Sequence, residues 1–146
     1  MKIRKEIQMQ YDTLLRIRRE LHQIPETGFD TYKTMAYITQ QIPIMVSEYD
    51  GFSGVFYLQG QNKKCLGFRC ELDGLPIREK NSFTYASFNG NMHACGHDIH
   101  TAVLLTFAKV LTAHPELVRG TVKLIFQAAE EKLPGGAKAL CEEGAM

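Results

Sequence analysis

The stretch Gly120-Thr-Val-Lys-Leu-Ile-Phe-Gln-Ala-Ala-Glu-Glu131 decides the fold. From Thr121 to Phe126 it is dominated by β-branched, aliphatic and aromatic side chains, the strongest strand signal in the chain. The run closes on two adjacent carboxylates, Glu130 and Glu131. In open α/β sheets ligands bind beyond the carboxyl ends of strands, so an acidic pair there is placed for chemistry. Working outward, Cys65 to Leu72 is a second strand that runs out at Asp73-Gly-Leu-Pro76, and Val55 to Gln59 is a third. The turn-rich Gly60-Gln-Asn-Lys-Lys64 between these two reads as a hairpin-like connection. From Ile3 to Ile24 apolar residues recur at three- and four-residue steps, which predicts one amphipathic helix closed by Pro25. Further helices are predicted over Thr31 to Gln41, Ile99 to Ala113, and Gly135 to Glu143, the last with Gly144 at its C-terminal end. Residues 77 to 93 have no clear period and read as a long excursion leading to the site. Helices interleaved with apolar strands predict an α/β layered domain.

Composition narrows the function classes. In 146 residues, 17 basic side chains face 16 acidic ones, a formal charge of +1. A nucleic-acid or anionic-membrane binder needs a clustered basic surplus, and none is present. The longest apolar stretches, such as Ala102-Val-Leu-Leu105, fall far short of the ~20 residues that cross a bilayer. The N-terminus mixes both charges without a continuous apolar region, so secretion is not expected. Cys65, Cys70, Cys95 and Cys141 lack CxxC spacing, which fits free thiols in a reducing cytosol, with Cys65, Cys70 and Cys141 as packing residues.

Two constellations carry the chemistry, His93-Ala-Cys-Gly-His-Asp-Ile-His100 and Gln127-Ala-Ala-Glu-Glu131; a third, Arg69-Cys-Glu-Leu-Asp73, also ends a strand. A single glycine between Cys95 and His97 lets thiolate and imidazole turn toward a common centre. A carboxylate would complete a mixed sulfur, nitrogen and oxygen set suited to zinc or a neighbouring first-row metal. Of two adjacent glutamates, a divalent cation would neutralise one and leave the other to accept a proton. The bland alternatives stand beside these. A Cys-x-His alone is more often a buried thiol beside a surface imidazole, and most acidic pairs are solvated surface, as Glu142-Glu143 reads here. His100 reads as a helix start, His22 as a helix-end residue, His114 as a loop residue, Asp73 as a turn former and Arg69 as a surface charge.

The whole pattern resembles peptidase family M20, in the branch of hippurate hydrolases, N-acetyldiaminopimelate deacetylases and auxin-conjugate amidohydrolases. The matching stretches are Leu21-His-Gln-Ile-Pro-Glu26 with Gly28-Phe29 and Thr34, Arg69-Cys-Glu-Leu-Asp-Gly-Leu-Pro-Ile77, Met92-His-Ala-Cys-Gly-His-Asp-Ile-His-Thr101, Gly120 to Glu131, and Gly135-Gly-Ala-Lys138. The resemblance implies a layered α/β/α metallopeptidase-like catalytic domain holding two divalent ions, zinc, manganese, cobalt or nickel. Cys95, His97 and Glu131 would be metal ligands and Glu130 the general base. Asp73 would complete the catalytic set from behind the site, in an orienting role. Ala128 stands where the family usually has proline, and Cys70-Glu71 where Ala-Asp is usual. Neither change removes an expected ligand.

Length sets this sequence apart from the family pattern. Residues 1–146 would be the N-terminal portion of the catalytic domain, without the lid and dimerisation domain, the second half of the catalytic domain or two later histidine ligands. Missing strands would leave a sheet edge open. The expectation for the parent is a cytoplasmic, homodimeric, metal-dependent hydrolase of N-acyl amino acids. The competing expectation is a non-catalytic α/β module that associates with other chains or holds one metal weakly. For the 146-residue chain alone, at most one weakly held ion is expected.

Overall fold

The computed structural model describes residues 2–42, 46–49 and 52–145, and for residues 2, 3 and 46–49 the backbone only. In chain order the elements are α1 (Lys2–Met9), α2 (Tyr11–His22), α3 (Tyr32–Gln41), β1 (Val46–Tyr49), β2 (Ser53–Leu58), β3 (Cys65–Glu71), α4 (His97–Ala113), β4 (Thr121–Gln127) and α5 (Gly136–Glu142), with a 3-10 turn at Pro115–Leu117. The strands form one mixed sheet in the order β1-β2-β4-β3. β1 and β2 are antiparallel, β2 and β4 are antiparallel, and β3 and β4 are parallel.

Alternation along β4 builds the layers. Leu124 and Phe126 turn to one face, where they pack with Ile17 and Leu21 of α2, Ile38 of α3, and Leu105 and Ala108 of α4. Ile125 turns to the other and meets Val55, Leu140 of α5 and Ala145. A strand that is apolar on both faces needs cover on both sides, and the sheet therefore lies between helices, as the α/β layered reading expects. Phe56 and Phe126 meet edge to face with centroids 5.2 Å apart, a pairing worth about 0.5–1.5 kcal/mol beyond the area it buries.

Three expectations are corrected. Val55–Gln59 and Cys65–Leu72 do not pair as a hairpin, because β4 lies between them: Phe56 faces Leu124 and Phe68 faces Leu124 from the other side. The parallel β3–β4 pair needs a long crossover, and α4 supplies it. The single helix from Ile3 to Ile24 is two, interrupted at Gln10 and finished at His22. Periodicity forms α1 without a face to bury it, and Ile7 and Met9 stay exposed. Cys65 and Cys141 are exposed rather than packed, whereas Cys70 is buried beneath Thr101 as expected. β1, a short polar strand, carries no sequence signal that predicted it. β3 forms an edge of the sheet with Leu66 and Phe68 exposed on it. Among the described residues no helix is long and apolar enough to cross a membrane.

Candidate metal centre

The carboxyl ends of β3 and β4 lie side by side, Glu71 opposite Gln127, and the chain leaves both toward the N-terminus of α4. After β4 the backbone turns sharply, with Ala129 in the left-handed region at φ 49°. That conformation costs a non-glycine residue about 1–2 kcal/mol. It is held by the Ala129 N–H, which donates to the Gly28 carbonyl at 3.0 Å, and by the Gly136 N–H, which donates to the Ala129 carbonyl at 2.9 Å. Gly136 approaches so closely that a Cβ there would lie 2.0 Å from the Ala128 carbonyl oxygen, while Gly135 before it takes a left-handed φ of 87°. The turn aims the N–H groups of Glu130 and Glu131 at Asp73, whose two carboxylate oxygens accept them at 3.0 Å each. Asp73 is fully buried. Burial alone would raise its pKa, but His97 and the two N–H groups hold its carboxyl below the usual range.

Asp73 also orients His97. The His97 Nδ1–H donates to the Asp73 carbonyl at 2.7 Å, and the Asp73 carboxylate lies 3.6 Å from the same nitrogen. Burial opposes charge on this ring, yet Asp73 lifts its pKa above the ordinary histidine value. With Nδ1 committed, Nε2 points toward Glu130 at 3.8 Å and Glu131 at 4.0 Å. A ligating imidazole fixed through its other nitrogen by a carbonyl or carboxylate is the usual outer arrangement of a metal site. α4 begins at His97, two residues before the expected Ile99, with Gly96 preceding it at φ 92°. A Cβ at Gly96 would meet only Ile99 at 3.9 Å, so backbone conformation rather than space requires glycine there.

Cys95, His97 and Glu131 each bring one donor atom to within 4.8 Å of the others. The set has the chemistry of a divalent transition-metal site: thiol sulfur, oriented imidazole and carboxylate, with Glu130 beside them 42% exposed. The Glu131 carboxylate raises the Cys95 thiol above its ordinary pKa, as do partial burial and the charge of Glu130. A neutralising cation suits such a concentration of negative charge.

Sequence reasoning missed the neighbours of this set. His22 is buried, its Nδ1 2.6 Å from Asp98 and its Nε2 3.1 Å from Glu79, and Arg18 reaches the same Asp98 oxygen at 3.0 Å. Glu79 opposes its own burial with hydrogen bonds from Asn81, the Ser87 backbone and His22, which bring its carboxyl down to about 2. His93 lies 6.3 Å from His22 between centroids, with neither ring nitrogen hydrogen-bonded to protein; burial pushes its pKa down to about 4 against the pull of Asp98. Glu26 accepts the Lys33 and Thr34 N–H groups and the Thr34 hydroxyl, closing the first turn of α3. Arg69 is more than a surface charge: it donates to Gln127 at 2.6 Å and pairs with Glu71 at 3.0 Å. His100, inside α4, pairs with Glu71 at 2.9 Å. Residue type alone could have flagged this last pair, but only the packing of α4 against the end of β3 brings its members together.

The sequence profile of peptidase family M20/M25/M40 matches residues 67–146, more than half of the chain and the part that holds both constellations. The chain belongs to this family. An M20 relative from Oceanobacillus iheyensis, N-acetyldiaminopimelate deacetylase, is 42% identical over 136 residues, covering 88% of this chain and 36% of its own length. A putative aminohydrolase from methicillin-resistant Staphylococcus aureus superposes with a TM-score of 0.91 at 36% identity, covering 96% of this chain and 38% of that one. The Bacillus subtilis YXEP protein, described as a dinuclear metal binding peptidase from the M20 family, superposes with a TM-score of 0.87 at 32% identity, covering 94% and 40%. This M20 chain thus spans about a third of the length of the curated relatives it matches.

Proposed function

We propose that this chain is the N-terminal portion of the catalytic domain of a metal-dependent amidohydrolase that cleaves N-acyl amino acids. One observation carries the reading: the donor atoms of Cys95, His97 and Glu131 converge within 4.8 Å while Glu130 stays beside them, partly exposed. Cys95, His97 and Glu131 would hold the metal; zinc, manganese, cobalt and nickel all suit that donor set. A divalent cation there supplies Lewis-acid polarisation of an amide carbonyl and makes water acidic enough to lose a proton near neutral pH. Glu130 accepts that proton as the water oxygen bonds to the amide carbon, and returns it to the leaving nitrogen as the C–N bond breaks. Asp73 is a positioning residue: through its carbonyl it sets the His97 ring, and through its carboxylate it sets the backbone that carries Glu130 and Glu131. In the longer protein, Glu130→Gln is expected to leave metal content unchanged and to lower turnover of an N-acetyl or N-benzoyl amino acid by about 10²–10⁴-fold. Near-normal turnover by that variant would overturn the assignment.

The chain's coverage, about a third of its relatives, favours a second reading for the 146 residues alone: a module that holds at most one ion weakly and does no hydrolysis. Only three donors converge around Cys95 among the described residues, and the remaining two-metal ligands and the dimer partner would come from the rest of the parent. Proximity and electrostatic stabilisation both fall when substrate is not held. The purified 146-residue chain is expected to show no hydrolysis of these substrates at any added metal concentration. Chelator-sensitive hydrolysis that Glu130→Gln abolishes would disprove this.

A further inference from the structure

A second group of donors lies on the other side of His97. Glu71 at the end of β3, and His97 and His100 on successive turns of α4, bring one donor atom each within 4.8 Å of the others. The two imidazole centroids are 5.8 Å apart. His97 belongs to both groups, and because its Nδ1 is committed to the Asp73 carbonyl, only Nε2 is free for either. A neutral imidazole nitrogen has one lone pair and binds one ion at a time. The groups are therefore alternatives rather than a pair of simultaneously filled sites.

The donors also differ in kind. The group around Cys95 offers sulfur, nitrogen and oxygen; the group around Glu71 offers two nitrogens and one oxygen. Thiolate selects soft ions, and imidazole-rich sets suit nickel and copper. Glu71 is prepared for such a role. Its Oε1 accepts from Arg69 at 3.0 Å and its Oε2 from His100 at 2.9 Å, and each carboxylate oxygen retains a second lone pair. The His100 side chain is 56% exposed, so its ring can turn to present a nitrogen to an ion. Donors around a tetrahedral ion stand about 3.3–3.8 Å apart, a distance that small side-chain rotations reach from this arrangement. The group opens on a groove of about 560 Å³ between β3 and α4, lined by Phe68, Val103 and Phe107, which gives an ion access from solvent.

We propose that Glu71, His97 and His100 form an alternative cation site sharing the His97 imidazole with Cys95 and Glu131, so that one chain holds one ion in either position according to its preference for nitrogen or sulfur. The proposal shares only His97 with the functional reading above, and the variants separate the two. The Cys95→Ser form of the 146-residue chain, titrated calorimetrically with nickel alone, is expected to bind one ion per chain. Adding His100→Ala or Glu71→Gln should weaken that binding by about 100-fold, the upper end of what even an outer-shell change costs a metal site. The unsubstituted chain titrated with cadmium should show a thiolate-to-metal charge-transfer band, and His100→Ala should leave both band and affinity unchanged. Absence of nickel binding by Cys95→Ser, nickel binding indifferent to His100→Ala, or cadmium binding that His100→Ala weakens would each overturn the proposal. A cadmium titration of the unsubstituted chain without a thiolate band would overturn the alternation between the two positions together with the Cys95 assignment, whereas the nickel results bear on the Glu71–His97–His100 position alone. Circular dichroism of each variant confirms that the fold is retained.

Discussion

His97 and Asp98 are adjacent at the start of α4, yet they serve two clusters of opposite character. Asp98 turns inward to His22, Arg18 and, through His22, Glu79, where short hydrogen bonds pair each buried charge. His97 turns toward Cys95, Glu130 and Glu131, where its Nε2 stands 3.8 and 4.0 Å from the carboxylates, beyond hydrogen-bond reach. The residue types are nearly the same. Saturation of donors and acceptors makes the first cluster a structural joint between α2, α4 and the 77–93 excursion. Incomplete pairing leaves the second able to take a ligand. At the start of α4 it is the unpaired Nε2 of His97 beside two carboxylates, more than polar groups as such, that marks the site.

The largest expected effect tests the structural side of this contrast. His22→Ala takes a buried hydrogen-bond partner from both Asp98 and Glu79, and each hydrogen bond to a charged group is worth about 1.5–3 kcal/mol. Cys95→Ser, at an exposed position in the open cluster, is expected to stay within about 0.5 kcal/mol. Urea denaturation of both variants checks the contrast, and equal losses would break it.

A smaller effect concerns acid. Because the folded state holds Glu79 down at about 2, its contribution to stability is fully present above the unfolded carboxyl pKa of ~4.3. It is lost as pH falls from there toward 2. Thermal unfolding followed between pH 5 and pH 2 should show a steeper loss for the unsubstituted chain than for Glu79→Gln. Parallel curves would remove Glu79 from the joint. The smallest effect sharpens the open side. Ala129→Gly relieves about 1–2 kcal/mol of left-handed strain. It also gives up one buried methyl, about 0.8 kcal/mol, and adds about 0.4–1 kcal/mol of freedom to the unfolded chain. Stability should be nearly unchanged by equilibrium denaturation; a loss above about 2 kcal/mol would mean that the turn does not carry the strain its angle implies.

Much of this was legible because it is local. Strand propensity in Thr121–Phe126 and the helical period of Ile99–Ala113 identify β4 and most of α4, and the positions of Glu130, Glu131 and Asp73 after strands place them at one edge from the sequence alone. Cys95 and His97 are joined by one glycine, and their convergence needs only a left-handed turn. What escaped depends on distance along the chain. The expected hairpin between β2 and β3 failed because neighbours in sequence compete with neighbours in space, and β4 pairs with both through its length. His22 read as an ordinary helix end, since the carboxylate that explains it is 76 residues away. Arg69 read as a surface charge for the same reason: its partner Gln127 lies 58 residues on, across a parallel strand pair.

The order of the sheet also has a consequence for biosynthesis. Among the described strands β4 comes latest in the sequence, and it joins β2 on one side to β3 on the other. While the chain emerges from the ribosome, β2 and β3 wait with unpaired edges until Thr121–Gln127 appears to join them. Closure of the sheet depends on contacts of long sequence separation, which form slowly and leave apolar edges open to other chains in the interval. The same late strand carries the Glu130–Glu131 turn at its end, so the nascent chain completes its structural keystone and its candidate ligand set within a few residues of synthesis.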